Sequence, residues 1–507
     1  MDELRISPEG FQELLEKMTV AMTDAIRFMD TGPTRFIDSL EDGPEAVEAA
    51  RRLASKLQEE DVPETGRDMA DILDLVCNVA ARSGKNDSAA GFCAYVPTGG
   101  LLQSAAAELL CSCLNRATAR FLSNPGLVQL ESNVIRWMGK IVGYDPGRSF
   151  GSFASGGSMA NFIGVLASRR RYLSEEQILE GVVLATSQTH TCIVKGLVMA
   201  GIPQSAMRLV PCDAKLRMDA TALEASIVKE RKAGRKPFLV VASAGTTNTG
   251  AVDDLRAVSV VCQRHDVWLH VDAVYGAAFN LTERGRDALD GLEEADSIAI
   301  DLHKSFFLPQ ATGLTMVKER AHLKRAFSVE TDLPFLPGMC EDEDNFLELS
   351  MQLTRPCYGL RLWFPLQLCG LSKWRQALDE RLDWTAEFAH ELRQMESLGV
   401  RLATEPSLSI LTFCYDSPPG QAGKSASLDD SADTASSASK EHIQHMCKLN
   451  ENLLLFINQR DNIYLSGTTL PDGRFVIRVC ILYIRLTKER LMRGLVDIRD
   501  GVQELTT

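Results

Sequence analysis

A chain of 507 residues with 45% hydrophobic and 24% charged residues carries ample apolar material, which excludes wholesale disorder and predicts two or three packed units. A formal net charge of −14 opposes a broad face for nucleic acid or anionic membrane, so any anionic ligand has to be held by local groups. No run of 18 apolar residues occurs, and of thirteen cysteines only Cys111 and Cys113 lie close together; they read as small buried residues of a reducing, cytoplasmic compartment, with no metal site implied.

The opening stretch MDELRISPEGFQELLEKM has early acids and no continuous apolar centre, so it reads as an amphipathic helix and not a signal peptide. Helical spacing continues to about residue 80, through Phe11, Leu14, Leu15 and Met18 and then Met69, Ile72, Leu73 and Val76, which predicts a helical N-terminal arm over 1–80. From 81 to 370 short apolar runs alternate with helical patterns. GVVLATS (181–187), RLVPC (208–212), FLVVAS (238–243), VWLHVD (267–272), SIAIDL (297–302) and GLTMV (313–317) are expected to form a mostly parallel sheet covered on both faces, an α/β architecture. Residues 371–507 suggest a smaller α+β unit, with a long helix, strands LSILTFCYD (408–416) and FVIRVCILY (475–483), and a last helix. Within it SPPGQAGKSASLDDSADTASSASK (417–440) has nothing to build a core from and is expected to be a disordered surface insertion.

Four short segments carry chemistry. Asp272 ends the run VWLHVD, at the carboxyl edge of the sheet where open α/β proteins bind ligands. Lys304, in DLHKS (301–305), follows another buried run, and a lysine entering an apolar cleft becomes an amine nucleophile toward an aldehyde. FASGGSMAN (153–161) leads small residues into a helix, offering the amides and hydroxyl of Gly157 and Ser158 to a phosphate dianion. SQTHTCIVKG (187–196) places His190 just past a strand, where an imidazole stacks on a flat ring or moves a proton. Each alone has a plainer reading, as a cap, a surface lysine or a structural histidine.

The order SGGS, SQTH, AGTTNTG (244–250), HVDA, DLHK resembles the group II pyridoxal-phosphate amino acid decarboxylases over roughly residues 60–490. The resemblance implies the aspartate aminotransferase-like fold, called fold type I, in a homodimer with active sites at the subunit interface and the helical arm at that interface. It implies pyridoxal 5'-phosphate as cofactor, held as a Schiff base on Lys304, with Asp272 pairing with the pyridine nitrogen and His190 on one ring face. Gly157, Ser158 and His303 would hold the phosphate, with Thr246 or Thr247 near the ring. FCAYVPTGG (92–100) resembles the segment lining the substrate pocket, which makes Tyr95, Pro97 and Thr98 candidates, and Arg478 matches a C-terminal arginine close to the substrate in some relatives. The implied reaction is decarboxylation of an L-amino acid at Cα to an amine.

The chain also departs from that pattern. Relatives carry a mobile-loop tyrosine that helps deliver the last proton; here its position falls at Asp332 or Leu333, no tyrosine occurs between Tyr275 and Tyr358, and Phe335 is the nearest aromatic. An aldehyde-forming or carbon–carbon bond-forming outcome is therefore the alternative, and a non-catalytic binding protein of the same fold is the alternative of another class. Val274 stands where a second small residue usually follows the aspartate, a bulkier neighbour for the ring, and Ser305 stands where a tryptophan often follows the lysine.

Overall fold

The computed structural model describes residues 6–34, 44–58, 61–328, 343–416 and 437–506. Its central sheet has seven strands: β1 (Phe150–Ala154), β2 (Gly181–Ala185), β3 (Met207–Leu209), β4 (Lys236–Ser243), β5 (Trp268–Asp272), β6 (Ser297–Asp301) and β7 (Gly313–Val317), in the order β1-β7-β6-β5-β4-β2-β3. All pairs from β3 across to β6 are parallel, and β7 alone runs against both its neighbours. Strands β2, β5 and β6 are buried along their whole length because helices cover both faces, which is why they read as unbroken apolar runs. The expected mostly parallel sheet of a fold type I enzyme is therefore present.

A second sheet, antiparallel and in the order β10-β11-β9-β8, is formed by β8 (Val400–Ser407), β9 (Ile410–Tyr415), β10 (Ser466–Thr469) and β11 (Phe475–Cys480). Three strands escaped the sequence reading. In β1, FGSFA, small residues mask the burial; β8, VRLATEPS, is mostly part-exposed; β10, SGTT, has no apolar residue at all. The run expected as strand over 475–483 ends at Cys480, where the chain turns.

Three N-terminal helices, Pro8–Thr31, Pro44–Leu57 and Met69–Asp74, lie within residues 1–80, the last passing into a π-helical turn at Leu75–Ala80. Ser7 caps the first, its hydroxyl accepting from Gly10 N–H at 3.1 Å with Pro8 at the first helical position. Of the expected insertion, 417–436 lies outside the described residues, and 437–440 instead begin the helix Ser437–Gln459. Among the described residues no helix is long and apolar enough to cross a membrane.

Candidate active site

Strands β4, β5 and β6 run parallel, so Ser243, Asp272 and Asp301 end at one edge of the sheet, with the turn after β2 beside them. The next residues bring the site together. After β6 a tight turn, closed by Lys304 N–H to Asp301 C=O (3.2 Å) and Phe307 N–H to Lys304 C=O (2.9 Å), presents Lys304 with 22% of its side chain exposed. Its Nζ lies 3.4 Å from Asp301 Oδ2, and His303 Nδ1 lies 3.0 Å from Asp301 Oδ1 without the alignment of a hydrogen bond.

Asp272 is buried, and its Oδ1 accepts from Val274 N–H at 3.3 Å. His190, on the turn after β2, accepts at Nδ1 from Cys192 N–H (3.2 Å). Desolvation lowers the His190 pKa; the Asp272 carboxylate opposes that shift and the Lys304 and Lys195 cations add to it. His190 thus feels both Asp272 and Lys304, so the three side chains named from separate sequence segments share one electrostatic environment.

The helix Gly157–Tyr172 starts directly after β1 with no side-chain bond from its N-cap residue, and its first amide, that of Gly157, already faces an anion, the Asp301 carboxylate. Two close approaches require glycine here. Gly156 has φ 143°, and a Cβ on Gly157 would lie 2.8 Å from both Asp301 Oδ2 and Val274 Cγ1. Val274, expected as a bulkier neighbour for the ring, packs on the start of this helix. Gly157 is buried and Ser158 exposed. The fit to a phosphorylated aldehyde rests on these features together: an uncapped helix start, an accessible amine and a buried carboxylate at one sheet edge.

The segment 92–101 reaches the same turn from the other side. Gly99 N–H donates to His303 C=O (2.9 Å), Leu101 N–H to Phe307 C=O (2.9 Å) and Gly100 N–H to Leu308 C=O (3.2 Å). Pro97 is buried, Thr98 half-buried, and Tyr95, at φ 49°, is 53% exposed. Arg478 of β11 ties this segment to the 244–250 turn: its guanidinium donates to Tyr95 C=O, and its Nε to Thr247 C=O at 2.7 Å. Arg478 is buried with Nη2 lacking a hydrogen-bond partner, and burial lowers its pKa. Of the two threonines, Thr246 is buried with its hydroxyl on Thr249 (3.1 Å), while Thr247 is exposed. Phe335 and the tyrosine position at Asp332 or Leu333 lie outside the described residues.

Sequence reasoning missed Asp301. It stands two residues before His303 and three before Lys304, a spacing that in hindsight puts one carboxylate beneath both, and its side chain is only 3% exposed.

The family described as pyridoxal-dependent decarboxylase conserved domain matches residues 52–416. An aromatic-L-amino-acid decarboxylase of Bacillus atrophaeus is 29% identical over 455 residues, covering 90% of this chain and 89% of the relative. An L-2,4-diaminobutyrate decarboxylase of Rhizobium meliloti (strain 1021) is 30% identical over 402 residues, covering 79% and 76%. Among solved structures, Oryza sativa TDC with PLP and tryptamine is similar with a TM-score of 0.87 at 19% identity, covering 99% of each chain, and mouse CSAD in apo form with 0.81 at 23%, covering 98% of this chain and 100% of that one. These structural likenesses carry the fold.

Proposed function

Because the chain belongs to the pyridoxal-dependent decarboxylase family, and so is a pyridoxal 5'-phosphate-dependent amino acid decarboxylase, we propose that Lys304 is the residue that holds the cofactor covalently. The observation that carries this is the meeting of Lys304, Asp272 and His190 beside the uncapped start of the helix Gly157–Tyr172. When bound, the cofactor supplies the sink for the electron pair left at Cα as CO2 departs.

Each remaining role belongs to a residue of this chain. The Asp272 carboxylate keeps a proton on the ring nitrogen, as a buried anion at the strand end is suited to do. The amides of Gly157 and Ser158, the Ser158 hydroxyl and His303 would hold the phosphate. His190 would lie against the ring; with Nδ1 accepting from Cys192, its proton sits on Nε2, the atom left to donate. Thr247 rather than Thr246 has a hydroxyl free for the cleft. Tyr95, Pro97 and Thr98 line the substrate side, and Arg478, which ties Tyr95 to Thr247, stands behind it near the substrate.

We also read the working form as a homodimer. The helix Pro8–Thr31 buries no residue of its own, and the helix Leu102–Leu114, which starts beside the Lys304 turn, exposes Leu102, Leu109, Leu110 and Leu114. A second copy covering these faces would close the site. Limits at 80/81 and 370/371 suit the three units, Gly370 at φ 71° separating the helices Leu360–Cys369 and Leu371–Gln394. The described cysteines are free thiols, which suits the cytoplasm.

Incubation with a panel of L-amino acids, recording CO2, amine, aldehyde and peroxide, tests the reading. Equimolar CO2 and amine from one of them is the expected outcome; no CO2 from any, or CO2 with aldehyde and peroxide in place of amine, overturns it.

A further inference from the structure

The carboxylate of Asp301 sits where the anion-binding cradle and the reactive lysine meet. One oxygen is 3.4 Å from Lys304 Nζ and the other 3.0 Å from His303 Nδ1, and the Gly157 amide stabilises the same group. These are the groups assigned above to the amine and the phosphate. In the cofactor-free protein, then, Asp301 acts as an internal anion in the cradle, with Lys304 as its counter-charge.

A bound phosphate would place a dianion next to this buried carboxylate and would compete with it for the Gly157 amide. Two anions facing each other out of water favour protonation of one of them, and a proton on Asp301 would let it donate to the phosphate. The charged and titratable groups facing Asp301 are Lys304 and His303 on its own turn; the helix Gly157–Tyr172 contributes an amide, β7 begins with Gly313, and β5 ends in a further acid, Asp272. Arg361 donates to Thr312 Oγ1 and Ala311 C=O beside this turn but is paired with Glu108, burial lowers the His303 pKa, and Lys304 is the cation that faces Asp301 directly.

We propose that Asp301 takes up one proton from solvent when the phosphate enters, turning from acceptor to donor within the cradle, so that hold on the cofactor weakens as pH rises. Burial already raises the Asp301 pKa above the ordinary carboxylate value, with Lys304, His303 and the Gly157 amide opposing, which leaves the group poised for that step. Below the pKa of the cofactor-free state this residue gives no pH dependence. Between that value and the higher one of the loaded state, each pH unit weakens binding by up to about tenfold.

The proposal rests on the reading of Gly157 and Lys304 given above, and the experiment separates the two. Pyridoxamine 5'-phosphate, which carries the phosphate but cannot condense with Lys304, is titrated into the full-length cofactor-free protein and into Asp301→Asn from pH 5.5 to 8.5 (~0.5 unit steps, to resolve a slope of up to about tenfold per unit). The ligand's own ionisation cancels in the ratio of dissociation constants, wild type over variant. A ratio that climbs with pH supports the proposal, and a flat ratio overturns it. Failure of pyridoxamine 5'-phosphate to bind either protein overturns the phosphate site itself. Should Asp301→Asn not fold, infrared difference spectra of loaded minus cofactor-free wild type, with 13C-aspartate to identify the band, give the same answer. A new protonated-carboxyl stretch is expected, and its absence overturns the proposal.

Discussion

Asn161 and His270 meet at 2.8 Å, amide oxygen to Nε2, in the middle of a hydrogen-bond chain that begins inside the sheet and ends at His190. Trp268 Nε1 donates to Ser297 Oγ (2.8 Å), Ser297 Oγ faces His270 Nδ1 (2.8 Å), and Asn161 Nδ2 donates to Cys192 Sγ (3.4 Å), whose residue donates its N–H to His190. Because the amide oxygen only accepts, His270 carries its proton on Nε2 and accepts at Nδ1 a hydrogen bond from the Ser297 hydroxyl. The ring is neutral. Gly164 permits this contact, since a Cβ there would lie 2.4 Å from the His270 ring.

This chain makes the protein acid-sensitive in a defined window. Burial lowers the His270 pKa to about 4. Between pH 4 and the ordinary histidine value of about 6.5, the unfolded chain binds a proton that the folded one does not, so this group's contribution rises with pH across that window by about 3 kcal/mol. Asp253 and Asp296, pushed up to about 6 by burial, act with the opposite sign over an overlapping range. Urea unfolding at pH 4.5 and pH 7, compared with His270→Gln, isolates the histidine. Wild type is expected to lose roughly 2–3 kcal/mol more than the variant on acidification, and parallel pH profiles would count against the assignment.

Gly99→Ala places a Cβ 2.0 Å from Phe307 Cα, a backbone atom of the turn that presents Lys304. Relief requires separating the two segments that exchange hydrogen bonds from Gly99 to Leu101. We expect about 1–3 kcal/mol lower stability and reduced cofactor occupancy in the purified protein, measured by denaturant titration and visible absorbance. Full occupancy would show that the 92–101 segment does not brace the site.

Arg355 and Glu131 form an ion pair with side chains 2% and 0% exposed, the guanidinium lying 4.4 Å from the centre of the Phe346 ring. Arg355→Met leaves Glu131 buried without its partner and is expected to cost about 3–5 kcal/mol. The double variant with Glu131→Leu should recover much of that loss, and a purely additive pair of costs in thermal unfolding would refute the coupling.

Asp272→Asn keeps the shape of the strand end and removes its charge. Turnover should fall on the order of 10²-fold or more with cofactor retained and the fold intact, as read by steady-state kinetics and circular dichroism. Undiminished turnover would remove Asp272 from the reaction.

How much of this was legible in the sequence depends on whether a residue's role is local. Asp272 ends an apolar run and Lys304 follows one, so their place at the sheet edge followed from strand periodicity and the rule for open α/β sheets. The run-in to Gly157 was equally readable, although β1 itself was not, because two aromatics among Gly, Ser and Ala carry little strand signal. Asp301 and Asn161 were invisible as site residues: their meaning comes from partners brought in by tertiary packing, Gly157 in one case and His270, 109 residues away, in the other. Arg478 entered only through resemblance, since nothing local in FVIRVCI tells a buried arginine that ties two loops from one at a sheet surface.

The central claim, that Lys304 carries the cofactor, is tested most directly by reducing the native enzyme with borohydride and locating the adduct by peptide mass spectrometry. A single phosphopyridoxyl group on Lys304, absent from Lys304→Ala, is the predicted result. An adduct on a different lysine, or a bound cofactor that reduction leaves unattached, would contradict it.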